Sequence, residues 1–459
     1  MQNSRKKTVC RIIFLAITVF VVFSSLSSCE KPYVAATKEE IESNVTSSKD
    51  EKYTYVATYL RQWGVPKFDK DKFTYFESCL MAVYNYGDGL PDAYEHAKMT
   101  VESFLASYYD VTDIYDEYTV TNALLTCYIE VLDDPYAVYR EAVATDDYTE
   151  DMSGKFGGIG VVVEYDDEAL TITVNTVYLG SPAEKAGIQV GDVIYAVDGK
   201  LVSDIGHRNA VYYIRGEIGS SVKLTLKRGE EFIETTATRD EVEELTVDYH
   251  FDEESNIGYV KMVAFKGNTD EQFARAIDEL EKLGARGIIF DVRNNPGGYL
   301  DSVCNAVSYM IPNGNIIVTY KYKGALTSEI ESETDYTDAE GNEVDRTISL
   351  PVVVICNEYT ASAGEIFTAA VRDYRKSGIL NATIVGTTTY KKGIMQNTYM
   401  HTDGSSVTMT VAYYDPPCGV NYHGIGVTPD VIVENKDGED TQYKTAITEL
   451  KKLINANNN

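Results

Sequence analysis

The sequence predicts a multidomain α/β protein in which a helical N-terminal region precedes a small β-rich domain and a larger α/β domain. The chain has 459 residues, which is more than a single domain usually contains. Apolar residues recur at three- and four-residue spacing before about residue 150, and short strands separated by Gly, Asp and Ser turns follow. After about residue 245, strand and helix patterns alternate, which is typical of a sheet covered on both faces.

The first 28 residues have the pattern of a signal peptide. Basic residues, the last of them Arg11, precede an apolar stretch from Ile12 to Phe23 that is shorter than a membrane-spanning helix. Leu26 to Cys29, Leu-Ser-Ser-Cys, resembles a bacterial lipobox, and the resemblance implies removal of residues 1–28 and lipidation of Cys29. The alternatives are an ordinary signal peptide or an uncleaved anchor. Residues 29–52 are polar and are predicted to form a flexible tether.

Residues 53–150 are predicted to form an N-terminal helical domain. The stretches FTYFESCLMAVYNY and YTVTNALLTCYIEVL carry apolar residues on one helical face. The turn signal DDPY, at 133–136, lies near the end of this region.

Residues 155–240 are predicted to form the small β-rich domain. Its predicted strands lie in GIGVVVEY, LTITVNTV, DVIYAVDG and SVKLTLKRG, with one helix in IGHRNAVYYIRG. Residues 245–459 form the predicted α/β domain, with buried strands such as GIIFDV, PVVVIC and ATIVG. The polar, acidic segment 324–349 is predicted to be a surface insertion in it.

The charge and the cysteines narrow the range of functions. The formal charge of -30 disfavours nucleic acid and anionic membrane surfaces as partners. Five cysteines follow Cys29, an odd number without a CxxC pair, so the sequence supports neither a metal site nor a disulfide scaffold. A single pair, Cys79 with Cys127, remains open.

Ser362 lies where a predicted buried strand, LPVVVIC, turns into a helix, and an alanine flanks it on each side. A serine hydroxyl becomes a good nucleophile only when a neighbouring base takes its proton. None of the five histidines lies in a recognisable triad context, and the flanking sequence is not GxSxG. A lysine kept neutral by burial is the other known base.

The stretch GTTTYKKGIMQ, residues 386–396, offers such a lysine. Lys392 precedes Gly393, which allows a close approach of backbone, and Gln396 could orient the lysine amine. Lys391 is the rival base. On spacing alone this signal is weak, because most lysines beside a loop glycine are simply solvated.

The stretch IIFDVRNNPGGYLDSV predicts a strand that runs through a Pro-Gly-Gly turn into a helix. Backbone N–H groups at Gly297 or Gly298 would suit an oxyanion hole, with the N–H of Ala363 as the second donor. A tight connection without a catalytic role is the simpler alternative.

Seven segments in this order resemble the carboxyl-terminal processing proteases, also called tail-specific proteases, over about residues 70–450. The segments are DDPYAVY, FGGIGV, SPAEKAGIQVGDVIYAVDG, DVRNNPGG, TASAGEI, KGIMQ and GIGVTPDV. The resemblance implies a ClpP/crotonase-like protease core with an inserted PDZ domain. It also implies that Ser362 is the nucleophile, that Lys392 is the general base and that Gln396 supports Lys392.

The resemblance assigns the β-rich region 155–240 to the PDZ domain, which captures the C-terminus of a polypeptide by strand addition. Its carboxylate loop corresponds to GGIGV, which contains Gly158, Ile159, Gly160 and Val161. Arg215 is a candidate charged link between the PDZ domain and the protease, or else an exposed arginine.

The sequence departs from the family pattern at three places. Lys391 stands where the family commonly has a glycine, the separation of Ser362 from Lys392 is longer than expected, and a proline replaces a common glycine in RNNPGG. None of these departures removes a catalytic residue type.

The resulting hypothesis is a lipid-anchored serine endopeptidase of the bacterial cell envelope, periplasmic or outer-facing, whose partners are protein or peptide substrates with free C-termini. No metal or cofactor is implied. The alternatives are a catalytically inactive PDZ-type scaffold lipoprotein and an acyl-transfer or hydration enzyme that shares the core fold.

Overall fold

The computed structural model describes most of the sequence from residue 117 onward and scattered residues before it. The described residues are 69, 71–73, 75–76, 79, 99–100, 102–104, 107 and 117–456, the last range without 133, 167–169, 323–326, 333–335, 338–342, 345–346 and 437. The predicted signal peptide, Cys29 and the tether therefore lie outside the described residues. Within the described part, no helix has the length and apolarity that a membrane span requires.

Helices and strands alternate along the described residues, as the mixed α/β prediction requires. The helices are α1 (Glu117–Glu130), α2 (Ala142–Ser153), α3 (Pro182–Lys185), α4 (Val202–Ile214), α5 (Thr269–Lys282), α6 (Leu300–Ser308), α7 (Ala363–Lys376) and α8 (Thr441–Ala456). The first strands are β1 (Val138–Arg140), β2 (Lys155–Gly158), β3 (Val161–Asp166), β4 (Thr171–Val177), β5 (Val193–Val197), β6 (Lys200–Leu201), β7 (Ser221–Arg228), β8 (Glu231–Thr238), β9 (Asp240–Glu243) and β10 (Val247–Asp252). The later strands are β11 (Ile257–Met262), β12 (Gly287–Asp291), β13 (Ile316–Tyr322), β14 (Thr327–Glu331), β15 (Tyr336–Thr337), β16 (Glu343–Val344), β17 (Val352–Cys356), β18 (Ala382–Gly386), β19 (Ile394–Met400), β20 (Ser406–Asp415) and β21 (Val431–Ile432).

The protein divides into two compact units. The first contains the described residues up to Asp147 together with Val318–Ile330 and Lys392–Gly424. Its sheet has the order β1-β20-β13-β14, and β19 also pairs with β20. Lys392 thus belongs to a stretch that folds with the N-terminal region, because β19 and β1 both pair with β20.

The second unit contains the described residues of Tyr148–Ile317, Glu331–Lys391 and Ile425–Asn459, which include a β-rich subdomain. Its sheet has the order β3-β4-β5-β7-β8, with β6 beside β5. Alternate residues of these strands, among them Ile172, Val174 and Leu224, form a core with the apolar face of α4. A separate two-stranded ribbon, β2 paired with β9, leads into and out of this subdomain.

The rest of the second unit is an α/β fold whose sheet has the order β10-β11-β12-β17-β18-β21. Within this sheet β11, β12, β17, β18 and β21 run parallel to one another. Every residue of β12, β17 and β18 is buried. Helix α8 covers one face through Leu450 and Ile454. The ring of Phe290 contacts the ring of Phe367 on α7 at 5.5 Å between centroids. The covered sheet matches the alternation predicted from residue 245 onward.

The described cysteines form no Cys79–Cys127 disulfide, because Cys127 is a buried free thiol. Cys304 and Cys356 are also buried free thiols. Among the described residues, no group of three or more His, Cys, Asp or Glu side chains is arranged to hold a metal ion.

Candidate active site

Ser362 is the residue that precedes α7 in the connection from β17, and its backbone is strained. Its φ of 53° and ψ of −115° lie outside the regions that residues with a side chain ordinarily occupy. Such a conformation costs on the order of 1–3 kcal/mol and persists only where surrounding contacts hold it. The flanking Ala361 and Ala363 are themselves buried, so the small neighbours predicted from sequence are packed against the body of the unit.

The Pro-Gly-Gly turn lies directly against this serine, and both of its glycines are sterically required. A Cβ on Gly297 would stand 2.7 Å from the Cβ of Ser362 and 3.0 Å from the Ala363 nitrogen. A Cβ on Gly298 would stand 2.0 Å from the carbonyl oxygen of Phe265. The φ values of 108° and 145° also favour glycine. The structure therefore brings Ser362, Ala363 and the turn together within one unit.

The backbone N–H groups around Ser362 differ in their availability. The N–H of Gly297 donates to Oδ1 of Asn295 at 2.9 Å. The N–H groups of Gly298 and Ala363 have no acceptor within the part of the protein that the structure describes. Of the two glycine donors predicted from sequence, Gly298 is thus the one whose N–H is uncommitted.

Glu365 is a functional candidate that the sequence analysis did not identify. Its side chain is fully buried on the first turn of α7. Its Oε2 accepts the N–H of Ser362 at 3.0 Å, and its Oε1 accepts the Thr389 hydroxyl at 2.6 Å and the N–H of Lys391 at 2.7 Å. One carboxylate therefore holds both the serine and the loop before Lys392. The S-x-x-E spacing of a helix N-terminus was the signal that could have found it.

Lys391, the rival base, has an exposed side chain and a φ of 89°. This left-handed backbone conformation is one that glycine adopts readily. A glycine at this position would therefore be accommodated without strain. What holds Lys391 in the fold is its backbone N–H, through Glu365.

Lys392 is half-buried in the other unit, where it contacts the predicted supporting glutamine. Its Nζ donates to Oε1 of Gln396 at 2.7 Å. Nε2 of Gln396 in turn donates to the carbonyl oxygen of Tyr136 at 2.6 Å. The lysine Nζ also lies 4.6 Å from the centroid of the Tyr136 ring, within cation–π range. The amine is thus oriented by an amide on one side and an aromatic face on another.

Tyr136 belongs to the DDPY segment, which the sequence predicts only as a turn. Asp134 of that segment accepts the N–H and the hydroxyl of Thr410 on β20, at 2.9 and 3.0 Å. It also accepts the N–H of Tyr136 at 3.0 Å. Asp134 therefore fixes the Tyr136 carbonyl that positions Gln396. No local signal predicts this, because Asp134 and Thr410 are 276 residues apart in sequence.

Gly393, directly after Lys392, leaves no room for a side chain. A Cβ there would stand 2.9 Å from the backbone nitrogen of His423. The N–H of Gly393 donates to Nδ1 of the same histidine at 3.3 Å. The close approach of backbone that the sequence predicted after Lys392 is made by the segment around His423.

The predicted carboxylate loop lies between β2, which ends at Gly158, and β3, which begins at Val161. The carbonyls of Ile159 and Gly160 accept N–H groups of Ala183 and Tyr178 at 2.8 and 2.9 Å. A Cβ on Gly160 would stand 2.5 Å from that of Ser181, and its φ is 78°. Strand β3 lies at the edge of its sheet, where an added peptide strand could pair.

Arg215 follows the last residue of α4 and is half-buried. Its guanidinium carbon lies 4.0 Å from the ring centroid of Phe156 on β2, which is the geometry of a cation–π contact. Its role as a link between the PDZ domain and the protease remains a prediction.

The buried thiols of the α/β fold are poor nucleophiles. Burial, reinforced by the charges of Asp291 and Glu365, raises the pKa of Cys356 to about 12. Burial likewise raises the pKa of Cys304 well above its ordinary value. Since the thiolate is the reactive form, both cysteines are inert at neutral pH.

Known proteins resemble this one over most of its sequence. Residues 256–433 match the model of peptidase family S41, and residues 173–228 match a PDZ domain. The protein is 35% identical over 360 residues to the carboxy-terminal processing protease CtpA of Bacillus subtilis (strain 168), covering 78% of this sequence and 71% of that one. It is 36% identical over 311 residues to a probable CtpA-like serine protease of Staphylococcus haemolyticus (strain JCSC1435), covering 68% of this sequence and 59% of that one.

A solved photosystem II D1 C-terminal processing protease is 27% identical, with a TM-score of 0.42, and the match covers 74% of this sequence and 88% of that one. The sequence relatives decide the family. They confirm the predicted fold class, with a protease core and a PDZ domain, and the predicted peptidase activity. The protein belongs to peptidase family S41, among the PDZ-containing carboxy-terminal processing serine proteases.

Proposed function

We propose that this protein is an envelope-anchored serine endopeptidase that binds substrate C-termini through its PDZ domain and cleaves with a Ser362–Lys392 dyad. The observation that carries the proposal is the strained serine at the start of α7, beside two backbone N–H groups without acceptors among the described residues. Such donors, preorganised where negative charge develops, are the usual means of stabilising a tetrahedral acyl-transfer intermediate. Membership of a serine peptidase family supports the same role.

In the proposed reaction, neutral Lys392 removes the proton of Ser362 as the hydroxyl oxygen attacks the substrate carbonyl. The developing oxyanion accepts the N–H groups of Gly298 and Ala363, at the positive end of the α7 dipole. The Lys392 ammonium then returns the proton to the leaving amine, and an acyl-enzyme remains on Ser362. Water, deprotonated by the same lysine, releases the acid product. Gln396 keeps Nζ oriented in both half-reactions.

The direct test is turnover of a peptide with an apolar C-terminus by the unmodified protein and by Ser362→Ala. Cleavage by the first and none by the second supports an endopeptidase. A scaffold would cleave in neither case, and an enzyme of another class would leave the peptide intact while acting on a different acyl substrate.

The PDZ assignment predicts that cleavage depends on the free C-terminus of the substrate. Amidating that terminus removes the charge that the Gly157 to Val161 loop would hold, and such charged hydrogen bonds contribute about 1.5–3 kcal/mol. We expect kcat/KM for the amidated peptide to fall by about 10- to 100-fold. A twin peptide with an internal Glu replaced by Gln controls for charge alone. Equal cleavage of the free and amidated peptides would contradict tail recognition.

The lipobox predicts that Cys29 is the first residue of the mature protein and carries the lipid. Mass spectrometry of the membrane-extracted protein should find no residues 1–28 and an acyl adduct on Cys29. Cys29→Ser should shift the protein from the membrane to the soluble fraction, since the lipid provides the anchoring apolar surface. Cys10→Ser, a matched change within the signal peptide, should leave it anchored. Recovery of an unmodified protein that retains Met1 would overturn this prediction.

A further inference from the structure

The two segments that join the PDZ domain to the protease core run side by side. Strand β2 enters the PDZ domain and β9 leaves it, and they pair antiparallel from Lys155 opposite Glu243 to Gly158 opposite Asp240. Because the two strands share a ladder, a displacement of the PDZ domain moves both of them. We call residues 151–158 and 240–247 the linker ribbon.

Lys266 binds the two halves of the linker ribbon at once. The residue is 8% exposed, and its Nζ lies 2.8 Å from Oδ1 of Asp151 and 2.8 Å from Oε2 of Glu244. Asp151 precedes β2, and Glu244 follows β9. One buried ammonium thus joins the segment that enters the PDZ domain to the segment that leaves it.

Hydrogen bonds from the residues after Lys266 reinforce this junction. The N–H of Gly267 donates to the carbonyl of Met152 at 3.0 Å. Nδ2 of Asn268 donates to the carbonyls of Gly154 and Glu244 at 3.0 and 2.8 Å. A Cβ on Gly154 would stand 2.1 Å from Oδ1 of Asn268. The segment 266–268 therefore has little freedom to move independently of the linker ribbon.

Phe265, the residue before Lys266, is bonded to the oxyanion turn on both sides. Its N–H donates to the carbonyl of Gly297 at 2.9 Å, and its carbonyl accepts the N–H of Tyr299 at 2.7 Å. These bonds bracket Gly298, whose Cα lies so close to Phe265 that no side chain fits. The Ser302 hydroxyl on α6 donates to the carbonyl of Lys266 at 3.1 Å. The position of the Gly298 N–H thus follows the position of residues 265 and 266.

We propose that Lys266 is a positioning residue that couples the linker ribbon of the PDZ domain to the Gly298 oxyanion donor. The inference rests on the oxyanion role of Gly298 in the proposed function. A tail bound to the PDZ domain shifts the linker ribbon, Lys266 and its neighbours carry the shift to Phe265, and the glycine turn moves with them. Without the ammonium, Asp151 and Glu244 lose the cation that holds them together, and the turn no longer responds to the tail.

The test compares Lys266→Met with Lys266→Arg in the full-length protein, using a peptide with a free C-terminus and its amidated twin. We expect Lys266→Met to lower kcat for the free peptide about tenfold with KM nearly unchanged, because a misplaced oxyanion donor weakens transition-state binding. The ratio of the rates for free and amidated peptide should fall toward one. Lys266→Arg should keep most of the kcat and most of the rate ratio, since arginine can still contact two carboxylates.

Lys155→Met is the matched control. Lys155 lies on β2 and pairs with Glu243 at 3.2 Å, so it is a linker-ribbon lysine whose ion pairs stay within the ribbon. Its substitution should leave kcat and the rate ratio unchanged. If Lys266 only stabilises the fold, Lys266→Met should unfold at a lower temperature, while its folded molecules keep the wild-type ratio of the rates for free and amidated peptide. That result would overturn the proposal.

If Lys266→Met folds poorly, Asp151→Asn tests the coupling instead. Asp151 is exposed, so its substitution should be tolerated by the fold, and it contributes one of the two ion pairs of Lys266. We expect it to lower the rate ratio about threefold, as a partial loss of the same junction. An unchanged ratio would reject the coupling. The proposed function fails by a different result, namely full activity of Ser362→Ala.

Discussion

Ser362→Ala is expected to abolish peptide cleavage, and Lys392→Ala is expected to cost nearly as much. In a catalytic unit each member is needed for the same step, so we expect each single variant to lose at least ~10³-fold in kcat and the double variant to lose little more. Lys392→Arg should be equally inactive, because arginine keeps its proton and cannot serve as a base. The measurement is kcat on a free-tailed peptide, with the folded fraction checked by thermal unfolding.

Lys391 provides the matched control for Lys392. Lys391→Ala and Lys391→Gly should keep most of the activity, since the side chain is exposed and the structural contact comes from the backbone N–H. Lys391→Gly should also relieve the left-handed backbone at φ 89°. An inactive Lys391→Ala beside an active Lys392→Ala would assign the base to the neighbour and reject the proposed dyad.

The elements of the second unit that follow local patterns could be predicted from sequence. The predicted strands PVVVIC and ATIVG are β17 and β18. Every residue of both strands is buried, and a continuous apolar run is the sequence pattern that predicts such a strand. The serine was recognisable because it stands at the junction of a strand and a helix. The glycine turn was recognisable from its Pro-Gly-Gly sequence, and the structure shows that neither glycine leaves room for a side chain.

The contacts that support Lys392 could not be predicted, because they join segments far apart in the sequence. Gln396 was inferred from its four-residue spacing, and its bond to Lys392 is present. The Tyr136 carbonyl that holds Gln396 lies 260 residues away. Pairing of β19 with β20 also places Lys392 in the first unit.

The sequence likewise could not show which of the two glycine N–H groups is available as an oxyanion donor. The sequence offered Gly297 or Gly298, which are equivalent by composition. Only the bond from the Gly297 N–H to Asn295 separates them. Asn295 is fully buried and donates through Nδ2 to the carbonyl of Met262, so this side chain is fixed and Gly297 stays committed.

Glu365→Gln is the second change expected to have a large effect, although its side chain is nearly identical in shape. Three of the groups that bond to the carboxylate are donors: the Ser362 N–H, the Thr389 hydroxyl and the Lys391 N–H. A glutamine must turn its NH₂ toward at least one of them. An unsatisfied buried donor costs about 1–3 kcal/mol, and the strained backbone of Ser362 would lose the acceptor of its N–H.

We therefore expect Glu365→Gln to lower kcat by about 100-fold, because a small displacement of the nucleophile disrupts its attack geometry. KM should change little, since Glu365 is buried and does not reach the substrate surface. Glu358→Gln is the control: Glu358 is exposed and accepts the Thr387 hydroxyl at 2.8 Å, which a glutamine oxygen can still accept, so the same loss of charge is made without touching Ser362. Active-site titration separates the two roles of Glu365. A wild-type kcat per titrated site in Glu365→Gln would mean that the carboxylate only stabilises the fold and does not position the serine.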